Sequence, residues 1–376
     1  MEMTRRRFLG AASAMTTLTL WPRLGMAATN DTRMLVVLLR GGMDGLHVLV
    51  PRDDPAYVRL RGTLAPQEVL PLDADFALHP ALSFAHSLYR RRQLLPIVAI
   101  APPYRQRSHF EAQDCLENGT ARPSGTSTGW LNRCAASMGS GGALSLTTVM
   151  PLIMRGPGEA TTWSPPLPEA VNPILLQRLQ PLYAADPELA ASFSRAFGAQ
   201  DMGVDGEKGG RLPQAMASAA RFMSQPAGAR IAFVEDSGWD THSNQATVLA
   251  RKLKELDAGL RGFHDGMGTQ WKDTVVVVVS EFGRTAAANG TGGTDHGTGG
   301  LALLAGGAVK GGLVAGDWPG LAADALNEGR DLRATSDLRA LFKGLLASHL
   351  RVTETALETL VFPDSRDARA MDGLFV

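Results

Sequence analysis

Short apolar runs recur along the chain, and polar or helical stretches separate them. Six runs are almost continuously apolar and mostly rich in β-branched or aliphatic residues: 34–39, 96–101, 144–149, 231–234, 274–280 and 301–304. Strands of a parallel sheet that helices cover on both faces have this composition. The pattern therefore predicts an α/β fold with a mostly parallel central sheet flanked by helices.

A helical pattern lies between the fourth and fifth of these runs. Its apolar positions are spaced alternately four and three residues apart: Leu249, Leu253, Leu256, Leu260, Phe263 and Met267. This spacing places them on one face of a long amphipathic helix and predicts a β–α–β unit. A second helix is predicted from about residue 337 to 349, with Ser336 or Thr335 as its cap.

The middle of the chain differs in composition from the rest. Residues 155–173 contain five prolines, and residues 198–210 are rich in glycine and charge. We interpret the helical segment between them as an insertion at about residues 155–225. The remainder, residues 28–376, is predicted to form a single domain.

The N-terminus has the features of an export sequence. Arg5, Arg6 and Arg7 precede a modest apolar stretch at residues 8–21, and small residues follow at 25–28. A membrane span needs roughly 20 strongly apolar residues, so this stretch is too short. It predicts a twin-arginine signal peptide at residues 1–27 and a periplasmic or other extracytoplasmic location. An uncleaved anchor helix is the alternative.

The charge balance restricts the kinds of molecule that the protein could bind, and the two cysteines raise the question of a disulfide. The chain has 37 basic and 37 acidic residues, and removal of residues 1–27 leaves 33 and 36. This balance argues against a nucleic-acid partner. No second apolar run is long enough for a stable membrane span. The sequence leaves open whether Cys115 and Cys134 form a disulfide after export.

Acidic residues and histidines cluster around the ends of the predicted strands. Ligands of α/β proteins bind at the carboxyl ends of parallel strands, and a cation stabilises carboxylates and imidazoles that meet there. We predict one or two divalent ions, zinc, manganese or similar. The predicted ligands are Asp44, Asp240, His242, Glu281, Asp295 and His296.

Each of these residues also has a purely structural interpretation, which the sequence leaves open. Asp44 could be a turn residue, and Ser108 could cap the helix predicted to follow it. Asp240 and His242 could cap the long helix, and Asp295 and His296 could belong to a structural turn in their glycine-rich loop. Glu281 directly follows a five-valine strand and is harder to explain in this way. Four other histidines are interpreted as structural: His79, His86, His264 and His349.

Seven segments together resemble a family of exported bacterial proteins, domain of unknown function 1501. They are LLRGGMDGLHVLVP, RSHFEAQD, GWLNR, GWDTHSNQ, SEFGRT, NGTGGTDHG and GDWPGL, and they span nearly the whole mature chain. That family is similar to a distant branch of the alkaline phosphatase and sulfatase superfamily. The resemblance implies an alkaline phosphatase-like fold with a one- or two-metal site.

The resemblance also implies roles for individual residues. Asp44, the pair Asp240 and His242, and His296 match metal ligands, and Ser108 matches the nucleophile. The superfamily's Asp-His pair after a long apolar strand is replaced here by Glu281 and Phe282. Because a phenyl ring cannot bind a metal, a second ion would need Asp295 or Asp114 instead.

Two functions follow as hypotheses. The first is a metal-dependent hydrolase of phosphate or sulfate esters, with an anionic ester substrate. Ser108 or a metal-bound water would attack, His109 would act as acid or base, and Arg284 or Arg107 would hold the anion. The alternative is a catalytically weak or inactive metal-binding scaffold that binds a partner in the envelope. A redox role lacks any cofactor motif.

Overall fold

A computed structural model describes residues 31–139, 142–164 and 211–376. From Thr32 onward, the described residues belong to one compact unit. The predicted signal peptide lies outside the described residues, as does most of the predicted insertion. Among the helices that are described, none combines the length and the apolar character that a membrane crossing requires.

Eight strands of the described residues form the main sheet, and three short strands form a second one. The main-sheet strands are β1 Arg33–Arg40, β5 Leu94–Ala101, β6 Ala143–Ser145, β7 Ala160–Thr162, β8 Ile231–Ser237, β9 Thr274–Val279, β10 Gly300–Ala305 and β11 Ser336–Asp337. Their order is β11-β5-β10-β9-β1-β8-β6-β7. The small antiparallel sheet contains β2 Leu49–Pro51, β3 Leu70–Pro71 and β4 Phe76–Leu78.

Helices connect these strands and cover the main sheet. The α-helices of the described residues are Gly45–Val48, Tyr57–Arg61, Ser83–Arg90, His109–Asn118, Trp130–Met138, Arg211–Met223, Gln245–Met267, Leu338–Ser348 and Glu354–Ala356. Short 3₁₀ helices span Gly62–Leu64, Leu152–Met154 and Gly268–Asp273, and a π-helical turn spans Leu357–Val361. The predicted α/β class with a mostly parallel sheet is confirmed.

The central strands are buried on both faces, which explains their continuous apolar sequence. Along β1, Leu35, Val37 and Leu39 belong to one core cluster. The alternate residues of the same strand face a second cluster on the other side of the sheet. The long helix Gln245–Met267 contributes its predicted apolar stripe to the first cluster. The helix Leu338–Ser348 contributes to the second.

Most element ends differ from the predicted ones by a few residues, and two of the differences have a visible physical reason. The run at 144–149 is a strand only as far as Ser145. Beyond it, the Thr147 hydroxyl donates to the Val149 carbonyl at 2.9 Å, and this local hydrogen bond competes with strand pairing. The last helix is capped by Asp337, whose carboxylate accepts from the Arg339 amide at 2.8 Å.

Strand β10 is the exception to the parallel arrangement. It runs antiparallel to both of its neighbours, β5 and β9, whereas every other adjacent pair in the main sheet is parallel. The start of an antiparallel strand lies at the same sheet edge as the ends of its neighbours. The loop before β10 therefore lies beside the segments that follow β1, β5, β8 and β9.

We expect the long helix to depend on its buried stripe. Leu253 is fully buried in the first core cluster, whereas its neighbour Lys254 is exposed. Leu253→Ala should lower the free energy of unfolding by about 2–5 kcal/mol, because it leaves a cavity. Lys254→Ala should change it by less than about 0.5 kcal/mol. Urea unfolding followed by circular dichroism measures both, and equal losses would contradict this account of the packing.

Candidate metal centre

Seven of the nine predicted site residues meet through direct contacts at the carboxyl-end edge of the sheet. They are His109, Asp240, His242, Glu281, Arg284, Asp295 and His296. Each residue lies in a segment that follows or precedes a strand at this edge, as predicted from the sequence. The antiparallel direction of β10 is what brings the Asp295 and His296 loop to the others.

Four side chains form the centre, which we call the donor cluster: His109, Asp240, His242 and His296. The Nε2 atom of His296 lies 3.0 Å from the Nε2 atoms of both His109 and His242. Asp240 Oδ1 lies 3.0 Å from His242 Nε2 and 3.3 Å from His296 Nε2. Asp240 Oδ2 lies 3.4 Å from His109 Nε2.

The other ring nitrogen of each histidine meets an oxygen atom. The pairs are His109 Nδ1 with Glu281 Oε1 at 2.8 Å, His242 Nδ1 with Asp295 Oδ1 at 3.0 Å, and His296 Nδ1 with the Arg107 carbonyl at 3.1 Å. Because these oxygens are acceptors, each neutral imidazole carries its proton on Nδ1. With all three imidazoles neutral, three Nε2 lone pairs lie beside one carboxylate. The pKa of His109 is raised, chiefly by its hydrogen bond to Glu281, so this ring has to release its Nε2 proton before it can bind a metal. Metal-binding histidines in proteins are oriented by such outer partners.

The chemistry of this donor set fits a divalent metal ion. Burial, reinforced by the neighbouring His109, lowers the pKa of His296, which favours the neutral imidazole that metals bind. Burial alone would raise the pKa of Asp240, but the hydrogen bond and charge of Arg284 bring it below its usual value. Neutral imidazoles with one carboxylate are ligands that zinc and similar ions prefer.

Glu281 is fully buried, and its oxygens face the protein. Oε1 accepts hydrogen bonds from the Gly41 amide and from Gln113 Nε2, both at 2.8 Å, besides meeting His109. Oε2 accepts from Ser280 Oγ at 3.0 Å. In this structure Glu281 orients His109, and direct metal binding by Glu281 stays a prediction.

Asp295 has a similar arrangement at the opposite side of the donor cluster. Its Oδ1 meets His242 and also accepts from Asn289 Nδ2 at 3.2 Å. These hydrogen bonds, with Asn289 as the largest contribution, lower the pKa of Asp295. Asp295 therefore orients His242 here, and its own binding of a metal stays a prediction.

The structure does not bring Asp44 into the donor cluster. Asp44 is 1% exposed and forms an ion pair with Arg61, which is itself fully buried. Arg61 Nη2 donates to Oδ1 at 2.9 Å, and Gln245 Nε2 donates to Oδ2 at 2.6 Å. Burial would raise the pKa of Asp44, yet the Arg61 guanidinium holds it below its usual range. A protein cation thus occupies the position beside this carboxylate.

Arg284 supports Asp240 rather than facing solvent. Its Nη1 donates to Asp240 Oδ1 at 2.6 Å, while Nη2 donates to the Thr294 carbonyl at 2.7 Å. Its Nε donates to Thr294 Oγ1 at 3.3 Å, and the side chain is fully buried. All three nitrogens are engaged, so Arg284 positions Asp240. That it also holds a substrate anion stays a prediction.

Ser108 precedes the donor cluster directly along the chain. It occupies the N-cap position of the helix His109–Asn118, but its side chain makes no capping hydrogen bond. Asp114, named as a substitute ligand, lies further along this helix and accepts from the Ser124 amide at 2.5 Å. Cys115 and Cys134 are free and buried.

Backbone geometry at Gly41 and Arg107 completes the site. Gly41 has φ 122°, and a Cβ there would lie 2.4 Å from the Asp240 amide nitrogen, so only glycine fits. Arg107 has φ 60°, and its carbonyl accepts from His296. The Gly41 contact could be suspected from the GGMDG motif. Nothing in the sequence predicts that the Arg107 carbonyl accepts a hydrogen bond from a histidine.

We expect the buried pair to be costly to break. Arg61→Met should destabilise the protein by about 3–5 kcal/mol, because Asp44 would remain as an unpaired buried charge. Arg59→Met changes an exposed arginine of the same helix and should cost less than about 0.5 kcal/mol. Adding Asp44→Asn to Arg61→Met should recover part of the loss. Chemical denaturation that shows no recovery would contradict charge as the cause.

We expect Glu281 to tune metal affinity through His109. Glu281→Gln keeps the shape but replaces the carboxylate behind the imidazole, and should weaken zinc binding about 10–100-fold. Glu255→Gln, on the long helix remote from the cluster, should leave it unchanged. Competition with a chromophoric chelator measures both affinities, with thermal unfolding as the check on folding. Equal affinities in wild type and Glu281→Gln would show that this contact does not support metal binding.

Several solved structures are similar to this chain at low identity. The alkaline phosphatase from the Antarctic bacterium TAB5 is 10% identical with a TM-score of 0.37, and the match covers 76% of this chain and 94% of that chain. The phosphonate monoester hydrolase of Agrobacterium radiobacter is 11% identical, with a TM-score of 0.37 and coverage of 84% and 73%. Ps i-CgsB in complex with k-i-k-neocarrahexaose is 11% identical with a TM-score of 0.35. That match covers 73% of this chain and only 65% of the length of Ps i-CgsB.

The family comparison concerns the second half of the chain. No curated protein matches the sequence. Residues 184–361 match the family described as "Protein of unknown function (DUF1501)". This segment includes the GWDTHSNQ, SEFGRT and NGTGGTDHG motifs, which supply six of the seven residues that meet at the site. The resemblance of this chain to the DUF1501 family is therefore confirmed.

Proposed function

We propose that this protein is a metal-dependent hydrolase of phosphate or sulfate esters that acts outside the cytoplasm after export. The observation that carries the proposal is the donor cluster: His109, Asp240 and His296 lie close enough together to hold one ion, and His242 Nε2 lies 3.0 Å from both Asp240 Oδ1 and His296 Nε2. The Arg5 to Arg7 motif supports the export step. Support for the substrate class comes from the motifs shared with the phosphatase and sulfatase superfamily.

The residues around the cluster would prepare it for a metal. His109, Asp240, His242 and His296 would hold the ion, and their outer partners fix the ring orientations beforehand. A bound divalent ion would act as a Lewis acid, polarising the ester and stabilising negative charge that develops on it. Arg284 keeps Asp240 ionised for this purpose.

Ser108 and the helix that follows it would bind the anionic group of the ester. The first amides of an α-helix have no partner within the helix, and the helix dipole favours an anion at this end. The helix His109–Asn118 begins at the donor cluster through His109. The Ser108 hydroxyl makes no capping hydrogen bond, lies within hydrogen-bonding reach of the Tyr104 phenol and would act as the nucleophile.

A non-catalytic metal-binding scaffold is the second candidate, and two observations favour it. Four protein donors suffice to close a tetrahedral site, as in structural zinc centres. Phe282 replaces an expected ligand and packs against His109 and His296, with ring centroids 4.7 and 5.2 Å apart. Such a protein would bind an envelope partner and would not turn over esters.

Metal content and turnover together decide between the two candidates. In protein purified without chelator, we expect about one equivalent of a transition metal, lost in Asp240→Ala and retained in Ser108→Ala. Hydrolysis of 4-nitrophenyl phosphate or sulfate should fall by orders of magnitude in Ser108→Ala. Ser243→Ala, an exposed serine beside His242, should retain it.

Each other outcome has a separate meaning for these proposals. Metal without turnover of either ester in the wild type would favour the scaffold. Full activity in Ser108→Ala would remove that hydroxyl from the mechanism but leave the metal proposal standing. Absence of metal after reloading with zinc and manganese, measured by mass spectrometry, would contradict both candidates.

A further inference from the structure

A cleft with a volume of about 420 Å³ lies near the small sheet, away from the donor cluster. Its polar walls come from His86, Tyr89, Arg90 and Arg92, and Pro71, Leu72 and Gly312 complete it. We propose that this cleft binds a phosphate or sulfate group through Arg90 and Arg92. Cavities of this size commonly hold small ligands or one group of a larger molecule.

The cleft is too far from the donor cluster to serve the same anion. Arg92 lies two residues before β5, and β5 runs in the same direction as β9, since both are antiparallel to β10. The cleft is therefore at the amino-end edge of the sheet, whereas the donor cluster is at the carboxyl-end edge. The eight residues of β5 separate the two edges by about 26 Å, at about 3.3 Å per residue.

The charge of the cleft is not compensated within the described part of the chain. Arg90 and Arg92 form neither an ion pair nor a side-chain hydrogen bond with any described residue. By contrast, Arg91 between them donates to the Ser87 carbonyl at 3.3 Å and lies over the Phe84 ring. None of the residues that line the cleft is acidic.

The walls of the cleft are held in place by the protein itself. His86 Nε2 donates to the Pro71 carbonyl at 2.9 Å, which fixes the helix Ser83–Arg90 against the end of strand β3. The Arg92 amide donates to the Tyr89 carbonyl at 2.9 Å, and the Gly311 amide donates to the Arg92 carbonyl at 3.1 Å. The base of the Arg92 side chain is therefore anchored, while its guanidinium remains available.

One acidic residue, Asp73, lies near the cleft without lining it. Asp73 acts on Tyr89, whose pKa is raised by burial and by that carboxylate, so the phenol stays a neutral donor. Asp73 Oδ1 is already engaged by the amides of Asp75 and Phe76 at 3.0 and 2.8 Å. The carboxylate serves the turn before β4 and does not line the cleft.

The arrangement selects a tetrahedral oxyanion over a simple carboxylate. One guanidinium fork can satisfy both oxygens of a carboxylate. Two guanidinium groups offer up to ten N–H donors, which suit the three or four oxygens of a phosphate or sulfate group better. The apolar surface of Pro71 and Leu72 would contact the organic part of such a ligand.

Isothermal titration of the metal-loaded chain with inorganic phosphate and inorganic sulfate tests the proposal. The double variant Arg90→Gln/Arg92→Gln should lose one anion-binding step or weaken it at least tenfold. The matched control is Arg351→Gln. Arg351 and Arg92 are both exposed arginines that follow a helix with a positive φ, 62° and 60°, and Arg351 is not among the residues that line this cleft. Arg351→Gln should bind like the wild type.

The result is independent of the proposed hydrolase function. Metal content and any turnover of 4-nitrophenyl phosphate should stay at the wild-type level in the double variant. Arg92→Lys, which keeps the charge but not the fork, should weaken binding several-fold and guards against misfolding of the double variant. Wild-type anion binding in the double variant, or an equal loss in Arg351→Gln, would overturn the proposal.

A polymeric probe identifies the source of the anion. If dextran sulfate binds more tightly per sulfate group than inorganic sulfate, and the double variant loses this gain, the cleft holds a group carried on a polymer. If dextran sulfate and inorganic sulfate bind with equal affinity per sulfate group, and the double variant loses both, the ligand of the cleft is a free ion. Both results support the cleft as an anion site.

Discussion

Compensation of buried negative charge at the carboxyl-end edge of the sheet is the constraint on which the site depends. Asp44 and Glu281 are both essentially removed from water, which costs several kcal/mol for an uncompensated carboxylate. The protein stabilises Asp44 with Arg61 and stabilises Glu281 with hydrogen bonds from Gly41, Gln113 and His109. The contacts of Glu281 fix the orientation of the His109 ring before any ligand binds.

The direction of β10 brings the metal-binding candidates together at this edge of the sheet. A parallel strand after β9 would have needed a crossover of a dozen or more residues, ending at the far edge of the sheet. The antiparallel return keeps the whole segment from Ser280 to Gly299 at the edge where β1 and β8 also end. Histidines from three separate segments can therefore share one centre.

Much of the fold and most site residues could be predicted from the sequence, but their contacts could not. Continuous apolar runs identify strands because burial on both faces leaves a local pattern. The role of Glu281 depends on which oxygen faces His109, and composition does not encode this. Arg61 lies 17 positions after Asp44 in an unremarkable helix, so its pairing is visible only in three dimensions. The early end of the run at 144–149 reflects a side-chain hydrogen bond, not hydropathy.

Two features concern the second metal ion that the resemblance implied. The resemblance placed a metal beside Asp44, but its carboxylate oxygens are bound by the protein cation Arg61 and by Gln245. The resemblance also expected a histidine where Phe282 packs its ring against His109 and His296. Among the described residues, the one group of three or more donors close enough together to hold an ion is His109, Asp240 and His296, which are three of the four members of the donor cluster. A guanidinium and a phenyl ring thus lie where the resemblance implied a second ion and one of its ligands, so the hydrolase proposed above would depend on one cation and on the helix that begins beside it.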